Sequence, residues 1–77
     1  AKDILITSQL RTALILDKKI KATNYQIDTY KNKIFIYGIA FTEEEKNNVV
    51  QEAKEIPNVI DVIASILLVD DLRIQKD

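Results

Sequence analysis

Cysteine, histidine, methionine and tryptophan are all missing from this chain, and one glycine and one proline are its only strong backbone punctuation. Each absence removes a class of chemistry. Without Cys there is no disulfide, no thiolate metal ligand and no thiol nucleophile, and cysteine usage gives no reading of the redox compartment. Without His, proton transfer falls to carboxylates, lysines and tyrosines, and no pair of these stands at a recognisable catalytic spacing. No catalytic residue, no metal ligand and no cofactor is assigned, and the chain is expected not to be an enzyme. Glu43-Glu44-Glu45 is an acidic run, but three successive helical residues point in different directions and do not converge on one ion. A basic excess is missing too. The net charge is −1, whereas phosphate binding wants a strong positive balance, so nucleic acid is not expected as a partner. Tyr25, Tyr30 and Tyr37 alternate with lysines, yet without a basic face they make a poor platform for stacked bases. No apolar run approaches the roughly 18 residues that would cross a bilayer. Arginine is scarce (Arg11 and Arg73), while Ile, Lys and Asn abound; an AT-rich genome explains that bias, which lowers the weight of lysine counts.

What is present is ordinary for a globular domain: 47% hydrophobic and 30% charged residues in a chain of 77. That length allows one domain, of which folding buries only about 60% of the unfolded surface. The chain opens Ala-Lys-Asp and passes straight into a helical pattern, so it is expected to be a piece of a longer protein. Asp3 is placed to cap a first helix running to about Asp17, with Ile6, Leu10, Ala13 and Leu14 as its core stripe. Near Asn24 the period changes to two. Tyr25, Ile27 and Thr29 alternate with polar residues, Lys31-Asn32-Lys33 reads as a turn with Asn32 left-handed, and Ile34 to Ala40 follows as a second strand. Thr42 with Glu45 forms a capping box for a second helix that buries Val49, Val50, Ala53 and Ile56. Pro57-Asn58 ends it. Asp61 to Val69 is a third strand, and residues 70–77 are a polar tail. The order predicts an α+β fold, an α-β-β-α-β sandwich: a three-stranded mixed sheet with two helices on one face, the third strand parallel to the second.

These elements, with these residues, resemble the BON domain, the family named for bacterial osmotically inducible and nodulation proteins. Asp3, Ile6, Leu10 and Leu14 look like its first helix. Ile34-x-Ile36-x-Gly38-x-Ala40 is similar to its hydrophobic-x-hydrophobic-x-Gly strand. Thr42 with the acidic triplet opens the second helix as the family does, and Val59-x-x-Val62 with Ile66 and Leu68 is similar to its closing motif and last strand. The likeness spans Asp3 to about Val69. No single motif is specific; their succession at family spacing carries the resemblance. Ala64 stands where the family often has Asn, and Asn32 where it often has a turn glycine. Within the family the chain looks most like the second BON domain of two-domain outer-membrane lipoproteins. That likeness implies a non-enzymatic, periplasmic module associated with the outer membrane and the osmotic-stress response. It also implies binding of anionic phospholipid, phosphatidylglycerol above all, largely through the first helix. Fold alone does not settle function in this family.

The stretch Ala13 to Lys21 bears on that expectation. On a helical wheel with Ile6 at zero, the core stripe falls between roughly −20° and 80°. Ile4 and Ile15 fall near 160–180°, and Leu5 and Leu16 near 260–280°, all off the stripe. The second helix has no such surplus. One reading gives Leu5, Ile15 and Leu16 to a bilayer surface, with Arg11, Lys18, Lys19 and Lys21 on lipid phosphates. The other reading is structural: Lys18 and Lys19 complement the helix dipole, Leu16 turns under the helix end, and Ile20 tucks into the core.

A second surplus lies in the sheet. Ile34, Ile36, Gly38 and Ala40 form an inward set, with Val62, Ala64, Ile66 and Leu68 beside them. Phe35, Tyr37, Ile39, Ile63, Leu67 and Val69 point outward, where a sheet covered on one side should be polar. This predicts a protein interface with a companion domain or a second copy; the competing reading is that the polar tail folds over it. Gly38 is assigned a structural role, a close approach of helix or backbone.

Overall fold

A computed structural model describes residues 2–69, and the tail expected at 70–77 lies outside them. Helix α1 spans Lys2–Leu16, strands β1 and β2 span Tyr25–Tyr30 and Lys33–Ala40, helix α2 spans Glu43–Lys54, and strand β3 spans Asp61–Leu68. A short 3-10 turn, Ala22–Asn24, leads into β1. The sheet order is β1-β2-β3. β1 pairs antiparallel with β2, and β3 runs parallel to β2. The fold is the expected α+β arrangement. β2 lies at the centre, bonded to a strand on each side, while β3, also apolar on both faces, is an edge strand.

Each helix buries one stripe against the same sheet face. Leu10, Leu14, Ile34, Ile36 and Val49 are completely buried, joined by Ile6, Tyr25, Ile27, Ala40, Ala53 and Ile66. Burying one such aliphatic side chain contributes about 1.5–3 kcal/mol. Val50, Ile56, Val59, Val62 and Leu68 pack at its margin. Ala64 lies on the inward-facing set, opposite Ile36, yet is exposed, because it sits on an edge strand whose rim is uncovered. β3 stops at Leu68, one residue short of the expected Val69, which is half-buried beyond the strand rather than part of its outer face.

The β1–β2 connection is a two-residue turn, Lys31-Asn32, with both residues at positive φ (50° and 66°). That is tighter than the expected three-residue turn, and it is the twist that two-residue hairpins require. Asp3 does not cap α1. It lies inside the first turn, and its carboxylate accepts the Lys31 and Asn32 amides at 2.9 Å each. Asn32 in turn accepts from the Ile60 amide and donates from its side chain to the Asn58 carbonyl, both at 2.9 Å. The hairpin turn, the start of α1 and the loop after α2 are thereby tied at one end of the sheet.

Gly38 fits its structural assignment. A Cβ there would stand 2.4 Å from the Asn24 carbonyl oxygen and 2.6 Å from the Tyr25 ring. The glycine lets the first residues of β1 cross close against β2.

Candidate functional site

Helix α1 presents its surplus to solvent. Leu5, Ile15 and Leu16 are 56%, 65% and 74% exposed, and Ile4 is exposed beside them. Leu16 does not turn under the helix end; Ile20 does tuck into the core. The cause is the local chain path. α1 ends at Leu16, the Asp17 amide still donates to Ala13, and the Asp17 side chain accepts the Lys19 amide at 2.9 Å. That turn throws Ile20 inward and leaves Ile15 and Leu16 on the outside. Ile4 and Leu5 lie eleven positions before Ile15 and Leu16, about 16 Å along the axis, so apolar side chains stand at both ends of one exposed face. Helix α2 is the contrast: it exposes no large hydrophobic side chain.

Lys18, Lys19 and Lys21 follow directly and are all exposed. They lie beyond the last turn of α1, which contains no basic residue. Lys19 Nζ sits 3.7 Å from Glu44 Oε2, with both side chains largely in solvent; exposed pairs of this kind contribute about 0–1 kcal/mol. Among the described residues, Lys18 and Lys21 make no ion pair.

The lysine loop is held from beneath by Glu45, a buried charged residue. Thr42 caps α2 as expected, its Oγ accepting the Glu45 amide at 3.0 Å. The reciprocal bond of a capping box does not form to Thr42. Glu45 instead accepts from the Phe41 amide (3.0 Å), the Lys21 amide (3.0 Å) and the Tyr25 hydroxyl (2.9 Å). Burial pushes the Glu45 carboxyl up, but these three donors outweigh it and hold the group below the ordinary glutamate range. The Tyr25 phenol is pushed far up, first by burial and then by its bond and proximity to Glu45. One carboxylate therefore fixes Lys21 and Phe41 to the same spot. Phe41 is 55% exposed there, an aromatic residue that periodicity missed. Its signal was available: it precedes the helix cap and fits neither strand nor helix stripe.

Arg11 is exposed. It lines an open cleft of ≈ 460 Å³ with Thr23, Asn24, Tyr37 and Ile39, curling round the first residues of β1. The outer sheet face carries Tyr37, Ile39, Ile63 and Leu67 exposed and Phe35 half-buried. In register, Phe35 stands beside Ile63, and Ile39 beside Leu67. No group of three or more Asp or Glu side chains could hold a metal among the described residues. No helix among them is long and apolar enough to cross a membrane.

Comparison with known proteins agrees with this architecture. The chain is 31% identical over 68 residues to a protein of Anaplasma centrale described as "Uncharacterized protein in gshII 5'region". The match covers 88% of this chain and 45% of that relative, so the chain spans less than half the relative's length. The BON domain profile matches residues 2–70, from the first turn of α1 to just past β3. With its glycine-bearing central strand, its capped second helix and its closing parallel strand all inside that match, the chain belongs to the BON domain family, a family of binding modules rather than enzymes.

Proposed function

We propose that this domain is a phospholipid-binding module of the bacterial cell envelope that meets anionic lipid through the exposed face of α1 and the lysine loop after it. The observation that carries the reading is the exposure of Leu5, Ile15 and Leu16 on a helix whose core stripe is already complete. A helix that carries apolar side chains on its solvent side, followed by cations, suits a bilayer interface. Three lysines near an anionic surface contribute about 3 kcal/mol. Two buried Leu or Ile side chains contribute about 3–6 kcal/mol. Orientation and ordering subtract from that sum, so a single domain binds weakly and reversibly. Phe41 extends the apolar contact beside Lys21. The setting that goes with this chemistry is the periplasm, against the outer membrane.

Flotation with vesicles tests it. Vesicles containing phosphatidylglycerol should carry the domain upward, and vesicles of phosphatidylcholine alone should not. Leu16→Gln combined with Ile15→Gln should abolish flotation while leaving the fold intact. Equal flotation on both vesicles, or full flotation of the double variant, would contradict the reading.

A second reading rests on a different observation, the apolar outer sheet face. Tyr37, Ile39, Ile63 and Leu67, with Phe35 between them, suit a companion domain or a second copy better than water. Chemical shifts at Phe35, Tyr37 and Leu67 that move with protein concentration would support it.

A further inference from the structure

We propose that β3 pairs edge to edge with β3 of a second copy of this chain, antiparallel and centred on Ser65, joining two three-stranded sheets into one of six strands. This stands independently of whether α1 meets lipid.

The sheet has two edges, and they differ. The β1 edge is six residues long and carries Gln26, Asp28 and Tyr30 on its outer face, with the hydroxyls of Thr29 and α1 residue Thr7 bonded on its inner face. Charge on an edge strand discourages pairing. The β3 edge is eight residues long, and among the described residues no strand pairs its outer side. From Val62 to Leu68 it reads Val-Ile-Ala-Ser-Ile-Leu-Leu, with no charge, no proline and no glycine. Its one charge is Asp61 at the first position, whose carboxylate accepts the Val62 amide at 2.9 Å; beyond that residue the edge has none of the devices that natural sheets use to block an open edge. Ala64 and Ser65, both small and both exposed, mark its middle, so nothing bulky stands over the backbone there.

The occupant follows from the sequence of the edge itself. In an antiparallel pair, residues directly opposite share a face. A two-fold axis at Ser65 sets Ile63 opposite Leu67 twice on the outer face. On the helix face it sets Val62 opposite Leu68 and Ala64 opposite Ile66. Asp61 comes opposite Val69, beyond the end of the strand, so no charge meets a like charge. An axis at Ala64 would instead bring Asp61 against Leu67 and Ile63 against Ser65, wasting both apolar side chains. The edge is thus self-complementary about Ser65, as a two-fold contact requires. The two outer faces, each with Phe35, Ile63 and Leu67, become one continuous apolar surface.

Pairing along one edge buries little area, so the dimer is weak, with a dissociation constant on the order of 10–100 μM. Sedimentation equilibrium of the 77-residue chain across that range should show the mass rising from one chain to two and no further. Ser65→Lys places two lysines face to face on the axis and should leave a monomer. Ser65→Glu should do the same, and a one-to-one mixture of the two variants should recover the dimer. Since Ser65 is exposed, both variants should keep the amide spectrum of the folded monomer. A single-chain mass at every concentration up to about 1 mM would overturn the proposal, that being well above the expected dissociation constant. So would assembly beyond two chains, or Ser65→Lys dimerising as strongly as the parent chain.

Discussion

Two carboxylates hold the ends of this molecule, and each reaches at least one backbone amide more than twenty residues away in sequence. Asp3 secures the Lys31-Asn32 turn, and Glu45 secures Lys21, Phe41 and Tyr25. The Asn32 and Lys31 amides hold the Asp3 carboxyl below its usual range. Glu45 is lowered as well, its donors outweighing burial. Groups whose pKa falls on folding stabilise fully above their unfolded value, and that stability is lost as pH drops through the folded value. Thermal unfolding should therefore move to lower temperature as the pH falls below the ordinary carboxylate range, and Glu45→Gln should flatten that dependence. The same variant should cost about 1.5–3 kcal/mol at neutral pH, the usual worth of hydrogen bonds to a charged group; denaturant titration measures it. Glu52 works in the opposite sense, raised first by burial and then by the Asp17 carboxyl facing it. Its charge opposes folding at neutral pH, so Glu52→Gln should raise the midpoint of unfolding there. Gly38→Ala should cost about 1–3 kcal/mol through the clash with Asn24 and Tyr25, read from the same titration.

At the scale of elements, the two helices divide labour. α2 is amphipathic and structural, while α1 carries exposed apolar side chains at both ends of its outer face, with Ser8, Gln9, Arg11 and Thr12 between them. Substituting polar residues into its two faces separates the roles. Leu10→Ala should cost about 2–5 kcal/mol of stability. Leu5→Gln, Ile15→Gln and Leu16→Gln should each stay within about 0.5 kcal/mol of the parent and act on lipid binding alone. Glu44→Gln removes the competitor at Lys19 and should tighten binding to anionic vesicles about two- to fivefold, the range that exposed ion pairs span. Periodicity made most of this legible. Ile6, Leu10 and Leu14 announced the buried stripe, so everything large left over on α1 had to face out. Thr42 announced the start of α2. The partners of Asp3 and Glu45 were not legible, because a capping pattern specifies a local bond and only tertiary packing offered these side chains better donors. Arg11 could be counted as a cation, but its place in the cleft with Thr23 and Asn24 depends on how α1 lies across β1. Phe41 was not legible from periodicity, because a single aromatic outside a repeat has no period to reveal it.

For the whole molecule, the proposed lipid face of α1, the lysine loop and the Glu45 clamp belong to the helix layer of a small sandwich, while the apolar sheet face and the open β3 edge occupy other surfaces. A domain arranged this way can sit on a membrane and still meet a partner. Binding to anionic vesicles should weaken as salt rises, since exposed charges are screened over about 10 Å at 0.1 M, and the apolar share should persist. The most direct measurement is a titration of the isotopically labelled chain with phosphatidylglycerol micelles against zwitterionic micelles, followed residue by residue by NMR. The largest shifts should fall on Leu5, Ile15, Leu16 and Lys18 to Lys21 and appear only with the anionic lipid. Shifts centred on α2, or equal for the two head groups, would contradict the central claim that α1 is a membrane-facing helix.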